Sequence, residues 1–273
     1  MSSATLLRVT ALVAAVLATP ALAAQCITDQ SQFGAYKQGL SQDAAASGVG
    51  QRGQQALSGA SLSGITWRFE SNPSSQSGVS NGDPAAFLAK RSGSSADAFI
   101  AQVQSRVDRN AGLFDTLERQ YGVPGGILAT IWGLETSWGG YTGETPVVDG
   151  AVTLASYCRR HPRFETHAVS ALRLVDQGAI STATRGGPSG ELGHMQFLAG
   201  NWERFGVDAD GNGQRDPYSA TDALASAANM LRQNGWQPGQ PFGEGTQNFR
   251  VLSAWNDSGN YQRAIAYSAE RVR

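Results

Sequence analysis

Residues 123–139 read VPGGILATIWGLETSWG, and one residue in that run is out of place. Pro124 suits a first helical turn and Gly139-Gly140 its far end. Between them Ile127, Leu128, Ile131, Trp132, Leu134 and Trp138 recur at helical spacing. Glu135 follows Leu128 by seven positions and Ile131 by four, and precedes Trp138 by three, which puts a carboxylate on the apolar stripe. A carboxyl pressed among Ile and Trp resists ionising, so its proton affinity rises. Such a group is a proton donor at neutral pH. The same spacing also fits a buried Glu paired with an Arg, or a helix rotated enough to wet it.

Outward from this run, the chain has 273 residues, 41% hydrophobic and 16% charged, enough for one large domain or two modest ones. Its 21 Lys+Arg balance 22 Asp+Glu, and no basic run occurs, which argues against a nucleic-acid surface. Residues 1–24 read as a secretory signal peptide. Arg8 is the only charge, an apolar stretch runs from Val9 to Leu17, and small residues precede a cleavage point after Ala23 or Ala24. That stretch is shorter than the roughly 20 residues of a membrane span. Gln25 stands before Cys26 where a lipoprotein signal carries Gly, Ala or Ser, so no membrane anchor is expected. In an oxidising compartment the two cysteines, Cys26 and Cys158, are expected to pair. A rival is a metal site of Cys158, His161 and His167, although no fourth ligand stands at zinc spacing.

The pattern is mainly helical. Phe33, Tyr36 and Leu40 share a face, and a longer helix is expected over about 96–121 with Phe99, Val103, Val107, Leu113 and Leu117 inward. Residues 61–93 are rich in Ser, Gly and Asn, with an extended piece expected around Ile65-Trp67-Phe69. Further helices are expected over about 164–176, 222–234 and from 259 onward. The loop 208–222, DADGNGQRDPYSATD, puts Asp208, Asp210 and Asn212 at positions 1, 3 and 5 of an EF-hand-like loop, with Gly213 at the sharp turn. Gln214 offers a carbonyl at position 7 and Asp216 acts at position 9. Ser219 replaces the usual Glu at position 12, and Asp222, three residues on, takes that part if the loop bulges. Hard oxygen ligands in this order favour calcium.

Four separated stretches, YGVPGGILATIWGLETSWG, GELGHMQFLAGNWERFGVDADGNGQRD, DALASAANMLRQNGW and AWNDSGNYQRAIA, resemble the lytic murein transglycosylases of the B type over most of Tyr121 to Tyr267. The resemblance implies a mainly α (α+β) fold. It would comprise a goose-lysozyme-like core with an inserted EF-hand-like loop at 208–222, a catalytic region over 121–273 and an N-terminal helical region over 25–120. It implies nonhydrolytic cleavage of the MurNAc–GlcNAc bond of peptidoglycan to a 1,6-anhydromuramoyl end, in a soluble, monomeric periplasmic enzyme. Glu135 takes the family's single catalytic position, and Gln196, Asn256 and Tyr261 its sugar-binding positions. Calcium, held by Asp208, Asp210, Asn212, Gln214 and Asp222, is structural, and catalysis needs no cofactor. A hydrolytic muramidase on the same core and an inactive peptidoglycan-binding protein are the competing functions. Glu191, in GELG, reads either as a hydrolytic partner or orienting group or, the favoured reading, as a helix-start residue bonding backbone amides; His194 is expected as a solvated loop histidine, and Trp255 as core or groove lining.

Overall fold

The computed structural model describes residues 24–72 and 82–273. Within them a short 3-10 turn at Gln30–Gln32 is followed by thirteen α-helices. These are α1 (Phe33–Ala46), α2 (Gln51–Gly59), α3 (Gly64–Ser71), α4 (Pro84–Ser92), α5 (Ala96–Arg109), α6 (Ala111–Tyr121), α7 (Gly125–Thr136), α8 (Val147–Ser156), α9 (Glu165–Gln177), α10 (Ala199–Phe205), α11 (Ala220–Gln233), α12 (Gln247–Val251) and α13 (Gly259–Ala269). Two two-residue strands, β1 (Thr145–Pro146) and β2 (Arg185–Gly186), pair antiparallel with Thr145 opposite Gly186. The signal-peptide reading falls on residues 1–23, outside the described residues, and only Ala24 of that segment is within them. Among the described residues no helix is long and apolar enough to cross a membrane.

Two expectations are corrected. Residues 64–71 form helix α3, not an extended piece, because Ser63 caps it by accepting from the Thr66 amide and its buried residues Trp67 and Glu70 lie three apart on one side. The expected 96–121 helix breaks at Asn110, whose φ of −123° and ψ of 30° are not helical, into α5 and α6. Of the expected inward residues Phe99, Val103 and Leu117 are buried and Val107 and Leu113 only half-buried, while Ile100 and Phe114 also turn into the core.

The core is one continuous cluster running from Ala24 to Ala269, centred on α7. α7 is apolar all round, so it is a central helix, not a surface one. α5 and α13 pack on it, α4 packs on α13, and α9 packs on α2, α8 and α10. A buried hydrogen bond from Thr130 to Ser268 (2.9 Å) joins α7 to α13. Cys26 and Cys158 are disulfide-bonded, so Cys158 is no free thiolate and the Cys158–His161–His167 metal reading falls. Beside the bond, Ile27 donates its amide to Ser156 O (2.8 Å), tying the segment before α1 to the end of α8.

Candidate active site

α7 ends inside the protein, and Glu135 is its one half-buried residue, the others being fully buried. There the helix meets a cleft of about 510 Å³ lined by Glu135, Glu191, Gln196, Trp255 and Asn256, with Arg91 and Arg160 among its cations. The pocket around Glu135 is not the one its helical neighbours suggested. Ser137 and Trp138 take left-handed backbone (φ 51° and 60°), so the helix has stopped before Trp138. Trp138 turns away, stacking on Phe99 and donating its indole N–H to Ala129 O (3.0 Å). The walls come from the far end of the chain: Tyr261 donates its hydroxyl to Glu135 Oε1 (2.6 Å) and Trp255 its indole N–H to the same atom (3.2 Å). Among the described residues Oε2 takes no hydrogen bond, leaving that oxygen for the cleft.

Burial pushes the Glu135 carboxyl above the usual carboxylate range. The Tyr261 and Trp255 hydrogen bonds and the Arg91 charge pull the other way without cancelling it. Tyr261 is itself buried, its ionisation driven far up by burial and by the Glu135 charge, so its hydroxyl remains a donor. It does not line the cleft and acts from behind Glu135. Trp255, half-buried, combines both expectations: it lines the cleft and packs edge-on against core Phe197.

The opposite wall is the turn 186–197, closed by a bridge between Leu192 and Phe197. Gln196 is left-handed at φ 49°, backbone strain of the kind that collects at functional sites. Its Nε2 donates to Thr142 O (3.1 Å) and Gly193 O (2.9 Å), which fixes the amide and leaves Oε1 as an acceptor. Asn256 uses Oδ1 to accept the Ser258 amide (2.9 Å).

Two polar residues differ from expectation. Glu191 is not at a helix start; it stands in the turn and accepts the Ser189 amide at 2.7 Å. His194 is not a solvated loop residue. It is half-buried, edge-on to Trp132, whose indole N–H donates to its Nδ1 (3.2 Å), and burial lowers its proton affinity, so the ring is neutral. Gly139, at φ 83°, is what lets this ring in, since a β-carbon there would come within 2.2 Å of it. Thr136 donates to His194 O (2.7 Å), which ties the end of α7 to the turn bearing Gln196.

Further along the cleft, Glu70 of α3 is buried and held by Arg159 and by Arg160, the latter through two bonds of 2.7 and 3.0 Å. The three large apolar side chains most exposed among the described residues, Ile65 (50%), Phe69 (43%) and Tyr141 (62%), all line this cleft. Exposed apolar groups gathered at one groove mark a binding surface. The 208–222 loop lies apart from the cleft, between α10 and α11. Oxygens of Asp208, Asp210 and Asp222 approach within 4.8 Å of one another, and buried Asp222 accepts the amides of Ala209, Asp210 and Asp216. Asn212 Oδ1 accepts the Gln214 amide (2.8 Å). Pro217 O of this loop accepts the His194 amide (3.0 Å), linking it to the cleft wall.

Arg91, the Glu70–Arg159–Arg160 cluster and the Trp255–Glu135 bond were not foreseen. No local signal carries them, because each joins elements far apart in the chain.

Comparison with known proteins agrees with this architecture. A family description, "Transglycosylase SLT domain", matches residues 32–246. Membrane-bound lytic murein transglycosylase B of Escherichia coli (strain K12) is 32% identical over 121 residues, which are 44% of this chain and 34% of that protein. The chain thus aligns with about a third of that relative's length. SltB3 from Pseudomonas aeruginosa, solved in complex with NAG-anhNAM-pentapeptide, superposes with a TM-score of 0.73 at 23% identity, covering 87% of this chain and 78% of that one. Slt35 of Escherichia coli, solved in complex with calcium, gives a TM-score of 0.70 at 20% identity, covering 85% and 92%.

Proposed function

The chain belongs to the Transglycosylase SLT domain family, and from that premise we propose that it is a peptidoglycan lytic transglycosylase with Glu135 as its catalytic acid and base. One observation carries the reading: a carboxyl with raised proton affinity, clamped on Oε1 by Tyr261 and Trp255, turns its other oxygen toward a long cleft. The protonated Glu135 gives its proton to the oxygen joining MurNAc to GlcNAc, and the GlcNAc leaves with it. The 2-acetamido oxygen of the substrate stabilises the positive charge at C1, a part that a second carboxylate plays in most glycosidases. Ionised Glu135 then takes the proton of the C6 hydroxyl as that oxygen bonds to C1, closing the 1,6-anhydro ring and restoring the acid. Tyr261 and Trp255 hold the carboxylate formed between the two halves. Gln196 and Asn256 bind the sugars from the opposite wall and the rim. SltB3 was solved with a fragment bearing such an anhydro sugar, which supports this substrate class.

The deciding experiment is mass spectrometry of the products from purified peptidoglycan. Muropeptides lighter by one water than the hydrolysed product are expected. Hydrated products identify a muramidase, and no products identify a binding protein.

Tyr141 and Phe69 offer faces on which sugar rings stack. Tyr141→Ala is expected to raise KM about 3- to 10-fold, the scale of one lost aromatic contact, with kcat little changed. A fall in kcat at constant KM would count against a binding role.

Asp208, Asp210, Asn212, Gln214 and Asp222 suit a calcium ion, since their oxygens are hard donors and the three carboxylates converge. Slt35 was solved with calcium, which supports that choice. The ion would neutralise the converging carboxylates and stiffen a loop tied to His194, with no part in bond breaking. Free calcium at a hundred times its Kd adds about 2.7 kcal/mol, so adding chelator should lower Tm by roughly 5–10 °C and calcium should restore it. An identical Tm in both would remove the site. In this reading residues 1–24 direct export to the periplasm, residues 25–120 pack on a catalytic region of 121–273, and the mature protein acts as a monomer.

A further inference from the structure

The proposed chemistry uses one carboxyl, yet the cleft holds a second. Glu191 lines the same cleft as Glu135 and is only half-exposed. Its Oε2 accepts the Ser189 amide at 2.7 Å. Gly187 passes directly beneath: a β-carbon there would stand 2.4 Å from Glu191 Oε2 and 2.4 Å from Gln196 Oε1. The two oxygens therefore crowd one point on the same side of the Gly187 backbone. Gln196 cannot relieve the crowding by flipping its amide, because its Nε2 is committed to Thr142 O and Gly193 O. Two acceptors gathered this close to one point repel unless one of them carries a proton, and among the described residues Gln196 Oε1 takes no hydrogen bond.

We propose that Glu191 works as a neutral carboxylic acid, a positioning residue whose O–H donates to Gln196 Oε1 and locks the amide that binds the glycan. This rests on the reading of Gln196 as a sugar-binding residue. The same oxygen still accepts the Ser189 amide, as a carboxylic hydroxyl can. Burial favours the neutral form and the Glu135 charge reinforces it, while the amides of Glu191 and Ser189 and the Ser189 hydroxyl oppose it. Glu135, on α7, is the charged group acting on Glu191. Facing Glu135 in turn are Arg91 from α4, Tyr261 from α13 and the Trp255 indole. When Glu135 gives up its proton, Glu191 keeps its own, so no second negative charge develops beside Glu135 during the reaction. Like charges in one pocket seldom ionise together.

Carboxyl ¹³C NMR of glutamate-labelled protein, with Glu191→Gln to assign the signal, tests the protonation state without reference to activity. The Glu191 signal should hold its protonated position at pH 7; a signal that titrates in the ordinary carboxylate range below pH 5 overturns the proposal. Kinetics on purified peptidoglycan test the role. Glu191→Gln, whose amide N–H replaces the carboxylic O–H but cannot accept the Ser189 amide, should lose less than about tenfold in kcat/KM, the cost of the one acceptor it gives up. Glu191→Ala should lose about tenfold or more, chiefly in KM, because Gln196 Oε1 is then unsatisfied. A Gln variant as inactive as one lacking Glu135, or an Ala variant equal to wild type, also overturns it. If wild-type protein cleaves nothing, the functional reading fails, while the NMR titration still decides the state of Glu191.

Discussion

Glu135→Gln is expected to lower release of glycan products by about 10³-fold or more, the scale on which loss of a positioned general acid acts. Gln keeps the shape and can still accept from Tyr261 and Trp255, but it has no proton to give and cannot recover one. The fold should survive, and the sign of the pH dependence says how. Burial raises the folded-state pKa of Glu135 above its unfolded value. Its contribution to stability is therefore fully present below the unfolded pKa and is lost as pH rises through the folded one. The Gln variant has nothing to titrate, so its Tm relative to wild type should climb with pH across that window and then level off. Wild-type activity should fall over the same upper limb, as the acid form disappears. Thermal melts and initial rates from pH 4 to 9 check both. Wild-type turnover by the Gln variant, or a Tm difference indifferent to pH, would sink the role given to Glu135.

Loss of the disulfide has the second largest expected effect. The Cys26–Cys158 bond spans 132 residues. Chain-entropy reasoning for a loop of that size gives about 5 kcal/mol. In a domain of this length that corresponds to roughly 10–20 °C in Tm. The double variant Cys26→Ser, Cys158→Ser, and wild type under reductant, should both melt that much lower than the oxidised protein. Activity at 25 °C should persist, because Glu135, Gln196, Asn256 and Tyr261 are held by other elements. A reductant that leaves Tm within 2 °C of the oxidised value would falsify the stabilising role.

Some of the site was legible in order of sequence. The ET at the end of an apolar helix, the QF after a glycine-rich turn and the alternating oxygens of 208–222 are local patterns, and local patterns survive without coordinates. Glu135 was singled out for the wrong neighbours, however. Helical spacing placed it beside Trp138, but the chain leaves the helix at Ser137 and sends that indole to Phe99. Glu191 bonds a backbone amide as expected but not at a helix start, and His194 is half-buried where a solvated loop residue was expected. Their surroundings are set by Gly187 and Gly139, whose missing β-carbons admit the close approach of Gln196 and of the His194 ring. The α3 segment misled because its Ser- and Gly-rich flanks hid a capped helix.

The sequence by itself determined the family, the helical core, the carboxyl proposed as the acid and the pairing of the two cysteines. Each of these depends on residue type and short-range order, or on having a single possible partner. Only the tertiary structure decided what raises the proton affinity of Glu135. Tyr261 reaches it across 126 positions of chain and Trp255 across 120, and Arg91 comes from a helix on its N-terminal side. Proton affinity is set by desolvation and by the charges and donors within a few ångströms, whatever their distance along the chain. That environment exists only once α4, α7 and α13 have packed together.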